Sequence, residues 1–130
     1  MSQEVSRAAR SVLIVEDDRF LRRACEVSLR QRGFTVLTAP DGEAALEIIR
    51  TELPALVLLD LLMPRMSGLE LLRRLRAEER TRALRVLVLS NSSREGDVAE
   101  LERLGITGYL VKANLSLEDL GETVKQLLEA

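Results

Sequence analysis

The 130-residue chain reads as a doubly wound α/β sandwich, with five parallel strands in the order 2-1-3-4-5 and helices on both faces. Apolar runs of strand length alternate five times with stretches of helical periodicity, as consecutive right-handed βα units require. Strands one, three and four are the most continuously apolar, which suits interior strands covered on both faces. No linker, repeat or low-complexity stretch interrupts the alternation, so residues 11–130 are expected to form one domain behind an N-terminal extension, residues 1–10.

The elements follow in order. Val12-Leu13-Ile14-Val15 is the first strand, and a charged turn leads into a helix from about residue 19 to residue 31, stopped by Gly33. Phe34-Thr35-Val36-Leu37-Thr38 is more mixed in polarity, as a strand near an edge would be. Asp41 caps a helix with Ala44, Ala45, Ile48 and Ile49 on one face. Leu56 to Leu59 form the third strand, and Ser67 caps a helix whose apolar face holds Leu69, Leu71, Leu72 and Leu75. Arg85-Val86-Leu87-Val88-Leu89 is the fourth strand. A polar loop from Ser90 to Gly96 follows, then a helix from about Ser93 to Leu104 bearing Val98, Leu101 and Leu104. Gly108-Tyr109-Leu110-Val111 is the fifth strand. Ser116, with Asp119 three residues on, opens the last helix, which carries Leu117, Leu120, Val124, Leu127 and Leu128.

Composition excludes several classes of function. Nineteen basic and 21 acidic residues leave a net charge of −2, which gives no global pull towards nucleic acid or membrane. No apolar stretch approaches the roughly 20 residues of a membrane span, and the first residues lack the apolar core of a signal peptide, so the cytoplasm is the expected location. Histidine is absent, which removes the commonest general base and transition-metal ligand. Cys25 is the only cysteine and falls in a helical apolar pattern, where a packed, inert thiol is expected. The run of arginines between Arg73 and Arg85 reads as a solvated face.

The chemistry collects at the strand ends. Strand one delivers Glu16-Asp17-Asp18, strand three Asp60, strand four Ser90 and strand five Lys112. A parallel sheet lays these ends along one edge, so residues distant in sequence converge there. Two carboxylates 4 Å apart repel by roughly 4 kcal/mol at an effective dielectric near 20. The acids therefore need a cation, and oxygen donors without His or Cys favour Mg²⁺. Asp18 itself suits a helix cap better than a ligand. A carboxylate beside Mg²⁺, an ammonium and a hydroxyl is equipped to accept a phosphoryl group.

Those residues, taken together, carry a resemblance. Val15-Glu16-Asp17-Asp18, the segment Asp60-Leu61-Leu62-Met63-Pro64-Arg65-Met66-Ser67-Gly68, Ser90, and Gly108-Tyr109-Leu110-Val111-Lys112 stand in the order found in receiver domains of two-component response regulators. The chain resembles that family over essentially its whole length, which implies the flavodoxin-like (βα)5 fold. It implies Asp60 as phosphoacceptor, and Mg²⁺ held by Asp17, Asp60, the backbone carbonyl of Leu62 and, mainly through a metal-bound water, Glu16. Lys112 would pair with Asp60 and then with the phosphoryl oxygens, Ser90 would bond one of those oxygens, and Tyr109 would be the aromatic switch. The partners implied are a sensor histidine kinase or histidine phosphotransfer protein as donor and an effector protein as reader of the switched face. With no output domain after Ala130, that reader is expected to be a separate protein; whether the last helices form a weak homodimer is left open by the sequence. The domain would be a phosphoprotein of signal transduction rather than an enzyme.

The chain departs from the family pattern at two places, Ala113 and Asn91. Ala113 follows Lys112 where the family usually has a cis proline, and a cis bond before alanine would cost about 2.5–4 kcal/mol. Either strain is stored there or the loop takes a trans path; the expectation is a retained site with an altered loop. Asn91 is larger than the usual residue beside Ser90 and would restrict access. Leu62 would shield an acyl phosphate from water while Ser92 would not strongly position an attacking water, so slow self-dephosphorylation is expected. A phosphorylation-independent interaction module is the rival reading, favoured by Ala113 and Asn91 and opposed by the intact acidic set. An aspartyl-phosphate hydrolase would need an acid at position 62, where Leu62 stands. A nucleotide site would need a glycine-rich loop after strand one, and none is present.

Overall fold

The structure, a computed structural model, describes residues 10–63, 65–91 and 95–129, without the side chains of residues 95–97. Strands β1 (Ser11–Val15), β2 (Thr35–Ala39), β3 (Leu56–Asp60), β4 (Arg85–Ser90) and β5 (Gly108–Val111) form one sheet in the order β2-β1-β3-β4-β5. Every neighbouring pair is parallel. The helices are α1 (Arg19–Gln31), α2 (Gly42–Glu52), α3 (Gly68–Ala77), α4 (Glu95–Arg103) and α5 (Leu117–Glu129). The expected fold and strand order are those observed.

Local chemistry sets the helix ends. Asp18 accepts from the amides of Phe20 and Leu21, Asp41 from that of Ala44, and Ser67 from that of Glu70, each satisfying a donor the first turn leaves free. The amide of Asp119 donates to Ser116 Oγ at 3.0 Å, which makes Ser116 the cap of α5. Gly33, just past α1, adopts φ 91, the left-handed conformation that glycine enters freely.

The pleat of the strands divides the core in two. Leu13, Val15, Val57, Leu59, Val86 and Val88 face α2, α3 and α4, meeting Ile49, Leu71, Leu72, Leu75 and Leu101. Val12, Ile14, Leu56, Leu58, Leu87 and Leu89 face α1 and α5, meeting Cys25, Leu29, Leu120 and Val124. Each such leucine contributes about 1.5–3 kcal/mol by burial, so the helices are clamped to a sheet whose edge can then carry a strained site. The Cys25 thiol is packed, and burial pushes it up to about 11, out of the reactive range.

The arginine run is largely solvated, as expected: Arg73, Arg74, Arg80, Arg82 and Arg85 are exposed, and only Arg76 is half-buried. Arg76 donates to the carbonyls of Leu104 at 2.6 Å and Gly105 at 3.0 Å, closing the end of α4, and Arg73 pairs with Glu100. Burial lowers the Arg76 pKa below its ordinary value. Arg10 lies over the Phe34 ring at 4.5 Å and bonds Glu129. Residues 1–9, the Pro64 turn, Ser92, and the helix start at Ser93 lie outside the described residues. Among the described residues no helix is long and apolar enough to cross a membrane.

Candidate functional site

Register fixes which strand ends meet. Val15 is level with Leu59 of β3, Asp60 with Leu89 of β4, and Ser90 with Val111 of β5. Glu16, Asp60, Ser90 and Lys112 are therefore carried to the same edge by four adjacent strands. The amide of Glu16 still donates to Ala39, so the turn after β1 leaves the sheet from a fixed point. Arg22, one turn into α1, donates to the Glu16 carbonyl at 2.8 Å and steadies the acidic turn.

Glu16 and Asp60 are almost fully buried, 3 % and 4 % exposed, while Asp17 is open to solvent. One carboxylate oxygen from each of the three lies within 4.8 Å of the others. Lys112 Nζ sits between the two buried acids, 2.6 Å from Glu16 Oε1 and 3.3 Å from Asp60 Oδ2. The other Glu16 oxygen accepts from the Asp18 amide, and Asp60 Oδ1 accepts from the Leu62 amide at 3.3 Å.

Electrostatics follow from this crowding. Burial pushes the Glu16 carboxyl up to about 7, against the downward pull of the Lys112 and Asp18 hydrogen bonds, and the charge of Asp60 adds to the rise. Burial lowers Lys112, but its bond to Glu16 and the charges of both acids outweigh that and hold the ammonium above its ordinary 10.5. The two partners thus differ: Lys112 is over-compensated by two acids, while Glu16 shares one ammonium and stays under-compensated. The expected pairing of Lys112 with Asp60 is present, and Glu16, at the shorter distance, is a second partner that the expectation did not include. Glu16 is as buried as Asp60 and needs the same charge.

The loop after Lys112 takes a trans path. No peptide bond among the described residues is cis, and Lys112–Asn114 form a 3-10 turn that still delivers the ammonium to Asp60. Ser90 is wholly buried at the end of β4, and Asn91 beside it is exposed. Tyr109 packs against the α2–α3 side of the core with its hydroxyl buried and, among the described residues, without a hydrogen-bond partner. The Leu62 side chain is 68 % exposed and stands in solvent at the rim.

Three features escaped the sequence reading. Arg65 pairs with Asp41 at 3.0 Å, Arg22 holds the Glu16 carbonyl, and Gly68 lies hard against the backbone of Asp60 and Leu61. Only Gly68 left a signal, as a glycine immediately after a helix cap.

The sequence and the fold have counterparts among known proteins. Residues 12–125 match the response regulator receiver domain. The chain belongs to that family. The receiver domain is 34 % identical to the chemotaxis protein CheY of Pseudomonas aeruginosa, over 91 % of this chain and 95 % of that one. It is 37 % identical to the transcriptional regulatory protein AfsQ1 of Streptomyces coelicolor, over 78 % of this chain and only 44 % of that one. The chain thus spans less than half of some relatives and nearly all of others. Among solved structures, a response regulator receiver protein from Pseudomonas putida superposes with a TM-score of 0.82 at 32 % identity, covering 89 % of this chain and 95 % of that one. Receiver domains are signalling domains, and this chain has their fold and an acidic cluster able to hold a metal.

Proposed function

We propose that this receiver domain is a cytoplasmic phosphorylation switch, accepting a phosphoryl group on Asp60 from the phosphohistidine of a sensor kinase or histidine phosphotransfer protein. The observation that carries the reading is the convergence of Glu16, Asp17 and Asp60 within 4.8 Å beside an ammonium shared by the two buried acids. An Asp60 oxygen attacks phosphorus, the nitrogen–phosphorus bond breaks, and the electron pair returns to the histidine ring, which regains its proton from solvent. Asp60 is oriented for this by the Leu62 amide and by Lys112.

The donor set fits Mg²⁺, being hard oxygen without nitrogen or sulfur competitors. Glu16, Asp17, Asp60 and the Leu62 carbonyl would hold the ion, which neutralises charge gathering on the phosphoryl oxygens. Lys112 moves from the acids towards the new dianion, and Ser90 donates its hydroxyl to a phosphoryl oxygen. Tyr109, whose buried hydroxyl lacks a partner among the described residues, then repacks and changes the face formed by α4, β5 and α5 that an effector protein reads. Two states separated by a few kcal/mol suffice for such a switch.

Titration calorimetry with Mg²⁺ and beryllofluoride, a phosphoryl mimic, tests this directly. Mg²⁺-dependent binding of the mimic is expected in the native chain and its loss in Asp60→Asn. Absence of binding in the native chain would remove the basis of the proposal.

A further inference from the structure

We infer that Arg65 and Asp41 form a brace that sets the position of the acceptor loop, acting as positioning residues for the metal-binding site. The inference rests on the reading of that site given above. Asp41 is 4 % exposed and does two things at once: Oδ1 accepts from the Ala44 amide at 2.9 Å, capping α2, and Oδ2 pairs with Arg65 Nη1 at 3.0 Å. The loop after β3 is thereby tied to the first turn of a helix clamped in the core.

The backbone fits this purpose. Arg65 has φ 68, a left-handed conformation that glycine enters freely and arginine does not. An arginine kept there points to a use for its side chain. Next to Asp41, a Cβ on Gly42 would lie 2.7 Å from the Met66 carbonyl oxygen and 2.8 Å from Met66 Cβ, so α2 rests directly on the loop. At the loop's other end the Gly68 amide donates to the Leu61 carbonyl at 3.0 Å. Between these two anchors lies Leu62, whose amide reaches Asp60 across a long 3.3 Å bond that a small loop shift would break.

The pair has one exposed and one buried member. The Arg65 side chain is 68 % exposed, so solvent screens the guanidinium, whereas that of Asp41 is 6 % exposed and is met by Arg65 and the Ala44 amide. The same contact ties the loop to α2, and placement of the loop is the role assigned to the pair.

Arg65→Gly relieves the left-handed conformation while deleting the guanidinium. Asp41→Asn keeps a capping oxygen while deleting the charge, and Arg65→Lys restores a cation. Calorimetric Mg²⁺ affinity and urea unfolding are measured for each. Arg65→Gly and Asp41→Asn are expected to bind Mg²⁺ about tenfold more weakly, the size of effect that supports behind metal ligands have. Arg65→Gly should still unfold in one cooperative urea transition, relief of the left-handed backbone offsetting part of what the lost pair costs, and Arg65→Lys should recover part of the affinity. A folded Arg65→Gly binding Mg²⁺ within about twofold of the native chain overturns the inference alone. A native chain that binds no Mg²⁺ overturns the site reading and this inference with it.

Discussion

Lys112→Ala should cost the metal-free protein about 3 kcal/mol at pH 8 and much less at pH 5, because removing one member of a buried pair strands the other charges. Lys112 is the shared partner of Glu16 and Asp60, whose side chains are 4 % and 5 % exposed. The pH dependence comes from Glu16. Its folded pKa, about 7, lies above the ordinary 4.5, so between those values the folded chain holds a proton that the unfolded chain has released. Stability from this group is therefore full below pH 4.5 and is lost as pH rises through 7. At pH 5 Glu16 is neutral in the folded protein and asks little of Lys112. At pH 8 it is mostly charged, and without the ammonium, which holds its pKa down, it must either stay charged unaided or take up a proton against the high pH. Lys112 itself, raised above 10.5, stays protonated across this window and adds no slope. Urea unfolding of both proteins at the two pH values measures the difference, and equal deficits at pH 5 and pH 8 would refute the coupling. Phosphorylation by a small acyl phosphate should also fall about a hundredfold, the loss expected for one charge-stabilising donor.

Gly68→Ala is expected to destabilise by about 3 kcal/mol or more, at the upper end of overpacking. A Cβ at this position would lie 2.3 Å from the Asp60 carbonyl oxygen and 2.7 Å from Leu61 Cα. Both are backbone atoms at the end of an interior strand, so no side chain can swing aside. Relief requires moving α3 away from β3 or displacing Asp60, and the second would also weaken Mg²⁺ binding. Gly105→Ala is the control: nothing lies within 4 Å of its Cβ, and only the left-handed φ of 79 is penalised, by about 1–2 kcal/mol. A Gly68→Ala variant no less stable than Gly105→Ala would show that the helix start is looser than its contacts indicate.

Periodicity carried the fold because burial is what periodicity encodes. The unbroken apolarity of Leu56 to Leu59 placed β3 inside, the mixed residues 35–38 placed β2 at the edge, and Asp18, Asp41 and Ser67 marked helix starts by the hydrogen bonds they make. The membership of the site was legible for the same reason: parallel strands end on one edge, so Glu16, Asp60, Ser90 and Lys112 had to converge. What burial does not encode is choice of partner. Nothing in the pattern said that Lys112 would lie nearer to Glu16 than to Asp60, that Arg65 would reach Asp41, or that Arg76 would turn inward to close α4. Such pairings depend on loop paths and on where long side chains find unmet charge. Ala113 illustrates the point, since its trans 3-10 turn preserves the reach of Lys112 by a route that a list of motif residues does not contain.

The central claim is that Asp60 takes the phosphoryl group in a Mg²⁺-dependent reaction. Mass spectrometry of the native chain after incubation with Mg²⁺ and a small acyl phosphate, followed by fragmentation, tests it most directly. The account predicts a single added phosphoryl group located on Asp60, absent after chelation of Mg²⁺ and absent in Asp60→Asn. Undiminished incorporation in Asp60→Asn, or incorporation that ignores Mg²⁺, would contradict it.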